Sequence, residues 1–332
     1  MIQLQEQQKK SAWLPIGSIS LAVLTFAFTP ILIRTCQEEI GPVSTIFNRY
    51  WIAAMILLLW NILRNARQLF TKNQNLFSHI NQQKLFSIWN KTTFLLLLSG
   101  FFLATTTVLW SWSLMYTGVA NSALLHNFSV FFTGIVEWFF FKKCFNKHFI
   151  IGGVIAGGGM IILGLNDLKF DGAQIQGDLV SLFSSLAFCG FLMTVERVRI
   201  KEVSSITTML WCYGLGIVLT LPIALINGEQ LFPLSWHGWY GPVVLGINAV
   251  VVNFLEIYSL QQLSASFVTL VFLIDPILTG IFSWWIFGET LSRLNLVAFA
   301  VILFGLYFAI SFDIRQLSIS ENAVMANEIS DA

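Results

Sequence analysis

Asp275 stands in the middle of a long apolar run, directly before Pro276 and one helical turn before Thr279. A proline inside a helix removes an N–H and frees the carbonyl one turn earlier, so unpaired backbone groups are expected beside this carboxylate. Such a group can contact a bound solute or carry a proton; alternatively, it satisfies the backbone freed by its own kink. A second set, Ser122, His126, Ser129, Thr133 and Glu137, falls at i, i+4, i+7, i+11 and i+15 of another run. At about 100° per residue this spacing draws one narrow polar stripe along a helix. The stripe either lines a water-filled cavity or packs against polar groups of other helices. His126 would change charge near neutral pH and so couple a process to protons, with a hydrogen-bonded structural histidine as the competing reading. Glu137 is equally suited to pairing with Lys142 or Lys143.

Other polar groups are less ordered along the chain. Asn248, Asn253 and Glu256 enter one run at several depths without forming a single face, and Glu256, near its end, reads as an interfacial residue or as a site. Arg49, near the start of the second run, either attracts an anionic group or extends toward lipid headgroups; the second is the stronger expectation. Trp110 and Trp112 could supply an aromatic wall or anchor the membrane interface. Ser18, Thr25 and Thr29 give the first run a mild polar face.

The elements that position these residues follow from composition. The chain of 332 residues is 56% hydrophobic and only 11% charged, with a mean hydropathy of +0.75, whereas soluble domains carry roughly a quarter charged residues. Apolar runs of 18 or more residues, long enough for a hydrocarbon core of about 30 Å, recur from end to end. Because lipid cannot satisfy backbone N–H and C=O groups, each run must be a helix. The expected fold is therefore all-α, a polytopic membrane protein of about ten transmembrane helices. The spans lie near 13–34, 44–64, 92–115, 122–141, 149–166, 177–195, 206–226, 239–260, 265–287 and 294–312. Residues 1–12 read as a cytoplasmic N-terminal segment, and no small-residue cleavage site follows the first run, so it is expected to remain as a membrane helix. The polar connection 64–91 has room for a surface helix, and 313–332 reads as a disordered cytoplasmic tail.

Lys and Arg split 14 against 4 between the two sides of this topology, of the 18 in the chain. Cytoplasmic loops carry the excess, so both termini are expected inside a bacterial inner (plasma) membrane. Shifting the chain by 146 residues lays Thr133, Gly134 and Ile135 on Thr279, Gly280 and Ile281, Trp138 on Trp284, Phe141 on Phe287 and Gly159 on Gly305. Two halves of five spans each are then inverted relative to one another, the usual construction of a secondary transporter.

At this point the chain resembles the EamA-type members of the drug/metabolite transporter superfamily. The likeness is carried by Asn48-Arg49-Tyr50, by the stretch Tyr116 to Leu125, by Leu263-Ser264-Ala265-Ser266, Asp275-Pro276, Phe287-Gly288-Glu289 and Gly305. It implies two inverted five-helix repeats, 13–166 and 177–312, and transport with a lean toward export. The first half departs from the family pattern, with Val130 and Phe131 where a mid-helix proline is usual and Lys143 where an acidic residue is usual. The single first-span glutamate of the smallest multidrug exporters of this superfamily is absent.

Function classes narrow accordingly. A net charge of +1 offers no surface for nucleic acid, and no nucleotide-binding loop is present. The four cysteines and four histidines are scattered without metal-ligand or nucleophile spacing, so no cofactor, metal or catalysis is expected. A non-transporting membrane subunit or receptor is the nearer alternative. No Lys or Arg reads as mid-span, which disfavours phosphorylated cargo and leaves a small neutral or zwitterionic organic solute such as an amino acid. Asp275, His126, Thr279, Ser129, Thr133, Glu137 and Glu256 are the candidate substrate-binding or coupling residues. The glycines of the fifth span, Gly152 to Gly164, suit close helix packing within the chain or at a homodimer contact.

Overall fold

The computed structural model describes residues 2–71, 91–142, 145–167, 172–199, 203–288 and 292–309. The expected disordered tail, most of the 64–91 connection and Lys143 lie outside them. Among the described residues every regular element is helical. Eight segments are long and apolar enough to cross a membrane: Leu14–Cys36, Pro42–Leu63, Lys91–Tyr116, Val119–Phe141, Gly172–Val198, Ser205–Ile226, His237–Leu260 and Ala265–Ile286. Two shorter apolar helices, Lys147–Ile162 and Arg293–Ala309, fall where the fifth and tenth spans are expected. In chain order these ten are segments one to ten.

Large apolar side chains on the outside, such as Ile62, Phe140, Val218 and Trp285, are more than half exposed. An apolar belt of this kind is stable only against lipid.

Three segments are not continuous. The first is a helix Ile2–Phe26 followed by a helix Thr29–Cys36. The fourth is Val119–His126 followed by Ser129–Phe141, and the ninth is Ala265–Phe272 followed by Asp275–Phe287. Pro30 and Pro276, near the starts of the second half-helices, account for two of the breaks, since neither can donate into the ladder. The fourth segment breaks without proline. There the Asn127 amide donates to the Ala123 carbonyl at 2.8 Å, and the next turn tightens to Val130 N–H→Asn127 O and Phe131 N–H→Phe128 O bonds. The continuous first and fourth spans expected from hydropathy are thus corrected, because hydropathy does not register a local break in a long apolar run.

The breaks of the fourth and ninth segments are 146 residues apart, and so are their C-caps, Lys142 and Gly288, at φ 49° and 67°. The pairing of segments has the same symmetry: third with sixth and eighth with first, third with seventh and eighth with second, second with seventh, fourth with ninth. The fifth and tenth helices cross at small residues. A Cβ on Gly305 would lie 2.4 Å from the Ala156 nitrogen, and one on Gly159 would lie 2.9 Å from the Ala298 and Ile302 backbones. Adding or subtracting 146 converts the first contact into the second.

A Cβ on Gly153, in the same helix as Gly159, would meet nothing within 4 Å. Gly305→Ala should therefore force the crossing apart and lower stability by about 1–3 kcal/mol, while Gly153→Ala should be neutral or gain up to about 1 kcal/mol. Unfolding of the purified variants in detergent, monitored by circular dichroism, checks this; equal effects at the two positions would contradict the crossing.

Candidate functional site

The last helical residue before each break is an aromatic ring: Phe26, His126 and Phe272. They turn into one cluster at the centre of the bundle. Phe26 and Phe272 meet edge-on at 5.1 Å, Trp110 stacks on His126 at 4.4 Å and on Phe26 at 5.2 Å, and Phe188 lies 4.9 Å from His126. Trp110 is therefore a wall of the interior, whereas Trp112 is partly exposed on the outside. Between these rings and the second, third and eighth segments lies a small cavity lined by Phe26, Arg49, Thr106, Trp110, His126, Phe188, Asn253 and Glu256, among others. Its free volume of about 10 Å³ has room for about one water. The site is closed in this conformation.

Just beyond the rings, the three breaks are tied together by side chains. Asn127 donates to Asp275 Oδ2 at 2.8 Å. Thr279 Oγ1 lies 3.1 Å from Asp275 Oδ1 and 3.3 Å from the Ala27 carbonyl at the break of the first segment. Thr29, two residues on, accepts from Asn248 of the eighth segment at 2.9 Å. Thr279 has a single hydroxyl hydrogen and two acceptors. With Asp275 ionised, that hydrogen must choose or be shared. With a proton on Oδ1, the acid donates to Thr279 and Thr279 donates to Ala27. A proton on Asp275 would thus leave the Thr279 hydrogen to the Ala27 carbonyl alone.

The polar stripe of the fourth segment divides between cavity lining and packing. Ser122, His126, Ser129, Thr133 and Glu137 are all buried. Ser122 bonds Ser113 and lies against Ser181, His126 Nδ1 is 2.9 Å from Ser184 Oγ, and Thr133 bonds back to the Ser129 carbonyl. Ser122 and His126 bond the sixth segment, and of the stripe only His126 lines the cavity. Glu137 accepts from Ser266 at the start of the ninth segment at 2.5 Å, away from the cavity. Ser129 holds the position that Asp275 holds in the ninth segment, and its hydroxyl has no hydrogen-bond partner.

Two expectations are corrected. Glu256 is 2% exposed and lines the cavity, so it faces the interior of the bundle and not its surface. Arg49 is also 2% exposed and turns inward, so it does not reach toward headgroups. The third, seventh and eighth segments all pack on the second and enclose that side chain. Asn127, Phe26 and Phe188 are site residues that the sequence reading does not single out. Asn127 has a usable signal, because the shift of 146 places it on Leu273, two residues before Asp275.

If the bonds at Asp275 hold the three breaks together, Asp275→Ala should destabilise the protein by about 1–3 kcal/mol for each partner left unsatisfied. Asp275→Asn, which can still accept from Asn127 and donate toward Thr279, should lose distinctly less. Thermal unfolding midpoints in detergent check the difference, and equal losses would rule out a bonding role.

Comparison with known proteins agrees with this architecture. The model of the EamA-like transporter family matches residues 13–165 and 176–311. An uncharacterized transporter of Archaeoglobus fulgidus is 21% identical over 300 residues, spanning 87% of this chain and 94% of that protein. Protein PagO of Salmonella typhimurium is 23% identical over 292 residues, spanning 87% and 90%. A solved structure described only as the crystal structure of a protein shares the fold with a TM-score of 0.66 at 13% identity, covering 89% of this chain and 96% of that one. Many apolar segments, three of them broken at the centre of the bundle, and a family match along nearly the whole length lead to one conclusion: the chain is a multi-pass membrane protein belonging to the EamA-like transporter family.

Proposed function

We propose that the protein is a secondary transporter that moves a small neutral or zwitterionic organic solute by alternating access, in the export direction, and that it is not an enzyme. The observation that carries this reading is the small buried cavity beside the breaks of the first and fourth segments, which side chains tie to the break of the ninth. Half-helix ends near the membrane midplane are where carriers bind cargo, because unwound backbone is tolerated only where it lines a cavity or is buried in protein. Room for about one water cannot hold an organic solute, so binding requires the aromatic rings at the breaks to part. The breaks are the natural hinges for that motion.

The contacts repeated at a spacing of 146 support a reading of 13–166 and 177–312 as two inverted five-helix halves. Ten crossings, with both termini cytoplasmic in a bacterial inner membrane, accord with the Lys and Arg bias. Removing buried Arg49 from the outer side strengthens that bias. Asp275 is the proton carrier in this reading, since its protonation changes the link between the first and ninth segments. His126, stacked on Trp110 and tilted against Phe188, forms part of the cavity wall.

The test is counterflow of a panel of radiolabelled amino acids and neutral metabolites by purified protein in liposomes, with and without an imposed pH gradient. Saturable exchange stimulated by the gradient is expected. Asp275→Asn should retain exchange but lose the stimulation. Full stimulation in that variant would remove Asp275 as the carrier, and absence of exchange for every solute would favour a non-transporting membrane subunit.

A further inference from the structure

We propose that the central cavity is a dipolar site for a primary amino acid with an apolar side chain, in which Arg49 binds the carboxylate and Glu256 binds the ammonium group. This rests on the transporter reading above and narrows its cargo.

Arg49 and Glu256 come from the second and eighth segments and line the same cavity, each 2% exposed. Two of the three guanidinium nitrogens, Nε and Nη1, have no hydrogen-bond partner, and neither does Glu256 Oε1. Trp110 Nε1 and Asn253 Nδ2, on two further lining residues, are also without partners. Buried polar atoms are nearly always paired. Five such atoms on four lining residues therefore mark a place where a ligand completes the bonding.

The chemistry of the five atoms selects the ligand. Arg49, Trp110 and Asn253 present donors, which suit the two oxygens of a carboxylate, and guanidinium is the side chain best shaped for it. Glu256 presents an acceptor with negative charge, which suits an ammonium group. Arg49 and Glu256 attract one another across the cavity but complete none of each other's open hydrogen bonds; a polyanion would oppose Glu256 with like charge, and a simple amine would oppose Arg49. A zwitterion answers both at once. Phe26, Trp110 and Phe188 then offer rings to an apolar side chain.

Binding to the purified full chain in detergent, by isothermal titration, tests the assignment with L-leucine and L-phenylalanine against their methyl esters and N-acetyl derivatives. The esters remove the carboxylate charge and the acetyl group removes the ammonium charge. Each derivative should bind at least about tenfold more weakly than its parent. Arg49→Gln should abolish the preference for acid over ester, and Glu256→Gln the preference for amine over N-acetyl amine. Arg49→Lys keeps the charge without the planar fork, should bind the acids more weakly, and carries the same test should Arg49→Gln not fold. Equal binding of parents and derivatives, unchanged preferences in the variants, or no binding of either amino acid would overturn the proposal. Binding without counterflow in liposomes would overturn transport and keep the site. Counterflow of an uncharged metabolite without amino-acid binding would overturn the site and keep transport.

Discussion

In a bilayer core no water is available to a backbone group that leaves the helix ladder, and this constraint organises the interior of the protein. Three helices break inside the apolar region, each break exposing carbonyls and N–H groups. Most of these groups bond within their own segment, and side chains join one break to another or to a neighbouring helix. The Ala27 carbonyl meets Thr279, Asn127 spans from its own helix to Asp275, and Thr29 meets Asn248. The side chains of these breaks bring them together, and the cavity lies beside those of the first and fourth segments.

The same constraint explains why polar residues are so unevenly used. Serines and threonines of the third, fourth and sixth segments mostly bond to carbonyls of their own helix or of a neighbour, as Thr106 does to Ser184 O at 2.7 Å. Such bonds let helices touch closely without leaving a group unpaired. Arg49, Asn253 and Glu256 behave differently: they are as deeply buried, yet carry atoms with no protein partner. Satisfied polar groups hold the bundle together. The unsatisfied ones gather on the residues around the cavity, apart from single atoms of Gln37, Ser44, Ser129 and Ser283.

Rigid and movable parts can be told apart on the same basis. The fifth and tenth helices approach closely at Gly152, Gly159 and Gly305, where backbone atoms of one helix meet the other. The core around the breaks is instead made of packed rings and a few hydrogen bonds. The loop after the seventh segment is tied to the start of the second: Glu229 accepts from the Ser44 N–H at 2.8 Å, and Asn48 donates to the Leu231 carbonyl at 2.6 Å. This fastens the end of the bundle nearest Arg49.

Lipid as the solvent, the all-helical class, the positions of the apolar segments and the spacing of 146 that relates them are all legible in the chain, because hydropathy and helix period are sums over neighbouring residues. Asp275, Thr279, His126 and Glu256 stand out in the same way, as polar groups in apolar surroundings. Which of them face the cavity depends on packing between distant segments. Asn127 and Asp275 are 148 positions apart, and no local pattern pairs them. The stripe on the fourth segment is visible in sequence, yet its division between packing and cavity is set by serines of the sixth segment. Arg49 escapes a sequence reading for the same reason: its position along a span is local, but the direction of a long flexible side chain is fixed by the helices that enclose it.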